Sequence, residues 1–249
     1  MTRDLLSIPP VPASRRVAYG EDPNQFFDLY LPEAHHAVAL VIHGGFWRAK
    51  YDLLHTSHMC AVLAKSGIAV ANLEYRRVGN EGGGWPGSYK DVRAGFGSLR
   101  VHFGETVKYL AIGHSAGGHL ALRLAADEAG LTGVVALAPV AVLKTAFEMN
   151  LSNGAVAEFL GGSPVDVPDA YAAACPSLHP SSVQRILLHG VNDADVPIAM
   201  SKEFETARQN DSGTVWFMKL DETEHMDLID PESRAWPIVH MDIESLIDG

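Results

Sequence analysis

The chain has 249 residues, 47% hydrophobic and 20% charged, and a formal net charge of −11. This balance excludes a disordered, collagenous or coiled-coil protein, and the length allows one or two domains at ~150 residues each. The acidic surface repels phosphate backbones and anionic bilayers, so neither nucleic acid nor a membrane is expected as a partner.

The first ten residues lack an apolar h-region and a small-residue cleavage site, so no signal peptide is expected. No apolar run reaches the ~18 residues of a membrane span. Cys60 and Cys175 lack redox or zinc spacing and read as reduced thiols of a cytoplasmic protein.

Residues 26–31 read as an early antiparallel strand ended by Pro32, and 37–42 as a strand covered on both faces. A helix is expected over 52–65, stopping at Gly67, followed by a strand at 68–73. Gly79 to Gly87 reads as loop, Ser88 to Val101 as helix and 107–112 as strand. A helix over 116–129 and a strand at 133–138 come next. Residues 139–182 break the rhythm with five prolines and short helical pieces, the pattern of a small cap-like insertion. Then follow a strand at 185–189, a helix at 197–209, a strand at 214–220 and a last helix over about 233–247. This alternation, without repeat or linker, predicts one α/β domain over 1–249 with a mainly parallel twisted sheet flanked by helices.

Gly113-His114-Ser115-Ala116-Gly117 matches the G-x-S-x-G nucleophile elbow, and it stands between an apolar strand and a helix-forming run, as that turn requires. The expectation is that Ser115 occupies a strained positive-φ turn and that the two glycines leave room for strand and helix. The N–H of Ala116 would face a developing oxyanion. His43-Gly44-Gly45-Phe46-Trp47 follows the 37–42 strand, and the N–H groups of Gly45 and Phe46 are the further oxyanion candidates. His43 is expected to brace that loop. Phe46 and Trp47 either line an acyl or leaving-group pocket or pack the loop, and His114 is a further pocket candidate.

A serine nucleophile needs a base, and the base needs an acceptor that fixes its tautomer. With an elbow of this kind the chain order is serine, acid, histidine. Asp193 follows the 185–189 strand; Asp195 is the rival, but beside Val196-Pro197 it is expected at a helix start. Among twelve histidines, His225 alone falls between the last strand and the last helix. His35-His36 and the His55/His58 pair lack an H-E-x-x-H motif or a carboxylate cluster, so no metal is expected.

With these motifs the whole chain resembles the α/β-hydrolase superfamily. His43-Gly44-Gly45-Phe46-Trp47 resembles the HGGxW motif of kynurenine formamidases (arylformamidases) and their esterase-like relatives. Asp28-Leu29-Tyr30-Leu31-Pro32, Glu74-Tyr75-Arg76, Trp85-Pro86 and His225…Asp227 fit that group. The resemblance implies Ser115 as nucleophile, Asp193 as acid, His225 as base, and Gly45, Phe46 and Ala116 as oxyanion donors, with no cofactor. The expected reaction is hydrolysis of a small ester or amide through an acyl-enzyme, N-formylkynurenine being one substrate and short-chain carboxylic esters the alternative. A non-catalytic binding protein on the same fold is the reading from another class. A homodimer is left open.

Overall fold

The computed structural model describes residues 3–248. Its strands are β1 (Arg15–Ala18), β2 (Phe26–Tyr30), β3 (Ala37–Ile42), β4 (Ile68–Leu73), β5 (Lys108–His114), β6 (Gly133–Leu137), β7 (Gln184–Gly190) and β8 (Val215–Leu220). They form one sheet in the order β1-β2-β4-β3-β5-β6-β7-β8. The pairings of β1 with β2 and of β2 with β4 are antiparallel and the rest are parallel, so β2 alone runs against the others. The expected mainly parallel sheet is therefore present. β1, which the sequence pattern did not signal, extends it at one edge.

The apolar runs of β3, β4 and β6 are buried throughout because the sheet is covered on both faces. Side chains alternate between two cores. Val38, Leu40 and Ile42 of β3 join one, with Val92, Phe96 and Leu99 of α2 (Gly87–Phe103) and Leu120 and Leu124 of α3 (Ala116–Asp127). Ala37, Ala39 and Val41 join the other, with Met59, Cys60 and Leu63 of α1 (Ser57–Lys65) and Val239, Ile243 and Leu246 of α8 (Trp236–Asp248). Truncating a fully buried core ring such as Phe27 is therefore in the range of ~3–5 kcal/mol.

Between β6 and β7 lie the short helices α4 (Leu143–Glu148), α5 (Ala155–Leu160) and α6 (Pro168–Ala174). Their buried residues Leu143, Ala146, Phe159 and Ala174 belong to the same core as α2 and α3. α7 (Ala199–Arg208) adds Met200 and Phe204. Strand order reverses between β3 and β5, since β4 lies on the far side of β3. The crevice outside the carboxyl ends of strands at such a reversal is where α/β sheets bind ligands. Here His43–Trp47 leave the end of β3 and Ser115 leaves the end of β5. No helix among the described residues is long and apolar enough to cross a membrane.

Candidate active site

Ser115 lies between β5 and α3 with φ 57° and ψ −118°. Its backbone is fully engaged: its N–H donates to Leu137 O at 2.8 Å, and its carbonyl accepts from His119 at 3.1 Å and Val140 at 3.2 Å. These bonds from β6, the loop after it and α3 hold a conformation that costs an L-residue roughly 1–2 kcal/mol. The glycines do what the motif requires. A Cβ on Gly113 would fall 2.3 Å from Gly117 O, and one on Gly117 2.0 Å from Ile42 O. Opposite the serine, a Cβ on Gly44 would stand 2.9 Å from Ser115 Cβ. The loop backbone therefore closes directly on Ser115.

Gly45, Phe46 and Trp47 all have positive φ, at 106°, 53° and 57°. Local preference opposes such a run, so the surroundings must impose it. Arg48 N donates to Gly45 O at 3.0 Å, and Val78 N to Trp47 O at 2.8 Å. Tyr75 Oη donates to His43 O at 3.0 Å, and its ring stacks on the His43 imidazole at 4.6 Å. His43 is fully buried, with Nε2 3.0 Å from Glu74 Oε1 and Nδ1 2.7 Å from Gly44 O. It braces the loop. Among the described residues, the N–H groups of Gly45, Phe46 and Ala116 meet no protein acceptor, as oxyanion donors require.

Trp47 resolves toward packing: it is fully buried, stacks on Phe159 at 4.5 Å and donates from Nε1 to His119 Nδ1 at 3.2 Å. Phe46 is half-buried. Trp47 meets the insertion through this Phe159 stack rather than across an open pocket. The insertion also bounds a cavity of about 600 Å³ beside α7, lined by Val142, Pro168, Tyr171, Cys175 and Glu203. His114 is buried to the same degree as Ser115, at 2% exposure each. Its ring lies 4.4 Å from that of His225, and its Nε2–H donates to His225 O at 3.1 Å. It packs against His225 through both contacts.

His225 follows β8 and opens a short 3₁₀ turn, Met226–Ile229. Its Nδ1–H donates to Asp193 Oδ2 at 2.7 Å. The other Asp193 oxygen accepts from Asp195 N at 2.9 Å and Val196 N at 2.8 Å. Burial pushes the Asp193 carboxyl up. Hydrogen bonds from His189 and His225, the His225 charge and the Val196 amide outweigh it and hold the group far below the usual carboxylate range. Asp195 is exposed and precedes α7 by several residues, so it does not stand at a helix start. Asp193, Asp195 and His225 bring three ligating atoms within 4.8 Å of one another. The Asp193 oxygens nevertheless already accept N–H bonds on both sides, which leaves a cation little to coordinate.

Sequence reasoning did not single out Glu74, Arg77 or His189 for a role at this site. Glu74 is buried and receives His43, Arg77 Nη1 at 3.0 Å, Tyr75 N at 3.0 Å and Leu53 N at 3.2 Å. Burial raises its carboxyl, but His43, Arg77 and the Tyr75 amide bring it below the ordinary value. The available signal was an acid directly after a fully buried strand, a position where an unpaired charge could not remain.

Several histidines here are buried neutral. Burial lowers His119 to about 3, and lowers His55 to about 3 with help from His43. His119 accepts from Trp47 and donates to Ala174 O at 3.0 Å, so a second proton would have to expel the indole N–H. The unfolded chain protonates these groups near pH 6.5 and the folded chain does not until about pH 3. Stability should be complete above pH 6.5 and fall by up to ~1.4 kcal/mol per pH unit per histidine as pH drops through that window. Glu74 and Asp193, both depressed, lose their contribution in the same direction at lower pH. Urea unfolding at about pH 7 and pH 5 measures this, and equal midpoints would contradict the neutral assignment.

The family model of BD-FAE matches residues 27–207. No curated protein matches the chain by sequence. Among solved structures, a truncated carbohydrate esterase from gut microbiota superposes with TM-score 0.81 at 19% identity, over 97% of this chain and 100% of that one. Esterase B of Lactobacillus rhamnosis gives 0.79 at 22% identity, over 98% and 88%. A thermophilic esterase of the Planctomycetes species Thermogutta terrifontis with propionate bound gives 0.76 at 20% identity, over 95% and 94%. The same organism's esterase 2, phosphonylated by sarin, gives 0.77 at 19% identity, over 96% of each chain. The fold is that of the α/β hydrolases.

Proposed function

The chain belongs to the BD-FAE family, and from that premise we propose that it is a serine esterase acting on short acyl esters. The observation that carries the reading is the 2.7 Å contact between His225 Nδ1 and Asp193, in a site where the His225 ring packs on the residue preceding an elbow serine. In the proposed reaction Ser115 Oγ attacks the ester carbonyl while His225 Nε2 takes its proton. The ionised Asp193 holds the Nδ1–H tautomer and stabilises the imidazolium. The oxyanion accepts from the amides of Gly45, Phe46 and Ala116, each donor contributing ~3 kcal/mol to the transition state. The imidazolium protonates the departing alkoxide. Water, activated by the same histidine, then hydrolyses the acyl-enzyme and frees the serine.

The relatives support an ester substrate, since those reported above are esterases and one holds propionate. An N-formyl aromatic amide would use the same machinery, and the resemblance of His43–Trp47 to arylformamidases makes N-formylkynurenine the rival substrate. It favours a flat aromatic leaving group, yet Trp47 is committed to Phe159 and His119 rather than to an open pocket. The test is kcat/KM for p-nitrophenyl acetate and butyrate beside N-formylkynurenine. The esterase reading expects the esters to lead by at least about tenfold, ~1.4 kcal/mol of transition-state binding. A tenfold preference for the formamide would overturn it.

A further inference from the structure

His189 is the penultimate residue of β7 and has no exposed surface. Its Nε2 lies 2.9 Å from Val196 O and 3.3 Å from Asp193 Oδ2, both acceptors. Its Nδ1 lies 2.8 Å from the hydroxyl of Ser201, a fully buried residue of α7. Two acceptors on Nε2 require the proton there, so Ser201 Oγ–H donates to Nδ1 and the tautomer is fixed. Three N–H groups hydrogen-bond the Asp193 carboxylate, the Asp195 and Val196 amides on Oδ1 and the His225 ring on Oδ2, and the His189 Nε2–H, donated chiefly to Val196 O, lies close enough at 3.3 Å to share its proton with Oδ2.

We propose that His189 is a positioning residue for the acid: through its Nε2–H it fixes Asp193 Oδ2 toward His225, while Ser201 fixes His189. It acts through Asp193 and touches no reacting atom. A purely structural histidine would need only Val196 O and Ser201. The Asp193 contact adds a donor to the oxygen that orients the base, and that contact connects α7 to the catalytic histidine. The depressed carboxyl of Asp193, to which the His189 and His225 rings both contribute against the cost of burial, agrees with this geometry.

The inference rests on the esterase reading, and the wild-type enzyme separates the two: if it hydrolyses no ester, that reading fails before His189 is tested. Given an active wild type, the experiment compares His189→Phe, which keeps the bulk and removes the donor, with His189→Gln, whose side-chain amide can donate from near the Nε2 position. The measurements are kcat and KM for p-nitrophenyl acetate and the low-field proton resonance of the His225 Nδ1–H. His189→Phe should lower kcat by about 10- to 100-fold, the scale of one lost hydrogen bond to a charged group, with KM within about twofold. Its low-field resonance should shift or disappear. His189→Gln should recover kcat to within about threefold of wild type and restore the resonance. Wild-type kcat in a folded His189→Phe, or equal losses in the two variants, would overturn the proposal. If His189→Phe does not fold, the Gln variant decides alone: near wild-type kcat and resonance support the assignment, and a loss of about 100-fold or more overturns it.

Discussion

Ser115→Ala should lower kcat for a short acyl ester by about 10⁴- to 10⁶-fold, with thermal unfolding close to wild type. The size follows from losing the only oxygen that forms the acyl bond in the proposed reaction. The oxyanion donors and the binding surface remain, so catalysis over water should not vanish entirely. The fold should tolerate the change because the strained turn is held by backbone bonds to Leu137, His119 and Val140, none of which uses the hydroxyl. Alanine keeps the Cβ against which Gly44 closes. Stopped-flow release of p-nitrophenol and circular dichroism melting measure the two halves. Activity within tenfold of wild type would remove Ser115 from the chemistry and favour a binding role for the fold.

Asp193→Asn should cost kcat about 10³- to 10⁴-fold. An amide has one acceptor oxygen and one donor group, whereas the site offers N–H groups to both Asp193 oxygens. One orientation turns the NH₂ on the backbone amides of Asp195 and Val196. The other turns it on His225 and His189. In the second case His225 must move its proton to Nε2, the nitrogen that should accept from Ser115. The variant should therefore also lose stability, by about 1–3 kcal/mol for the clashing donors. Asp195→Asn is the comparison: its side chain is exposed, so less than about a threefold change in kcat is expected. Equal losses at the two positions would contradict the assignment of the acid.

The legible parts of this site are those whose constraint is local. The elbow requires a strand, a tight turn and a helix within a dozen residues, and the steric demand at Gly113 and Gly117 is visible as their identity. The buried strands were legible because double-sided burial leaves an unbroken apolar run. β1 was not: Arg15–Ala18 is short and largely exposed, and it exists through pairing with β2 rather than through pattern. Its Arg16–Asp28 contact at 2.7 Å is a consequence of that pairing.

Trp47 shows a different limit. An aromatic beside an oxyanion loop has the same sequence whether it faces substrate or core. Its fate is decided by His119 on α3 and Phe159 on α5, which the chain brings in from far away. His114 and His189 are ambiguous for the same reason, as each is a histidine near a strand end until the carboxylate or ring it meets is known. Substrate choice is the least legible feature, since one fold hosts many activities and the formamide and ester reactions call for the same donors, base and acid.

The central claim is that Ser115 is the nucleophile of an acyl-transfer site. The most direct measurement is incubation of the active protein with a fluorophosphonate, followed by intact-mass and peptide-mapping mass spectrometry. The account predicts one adduct per chain, carried by the Gly113–Gly117 segment on Ser115, with activity lost in proportion to labelling. It also predicts no adduct in Ser115→Ala and much slower labelling in Asp193→Asn. An active protein that takes no label, or one labelled and inactivated at another residue, would contradict it.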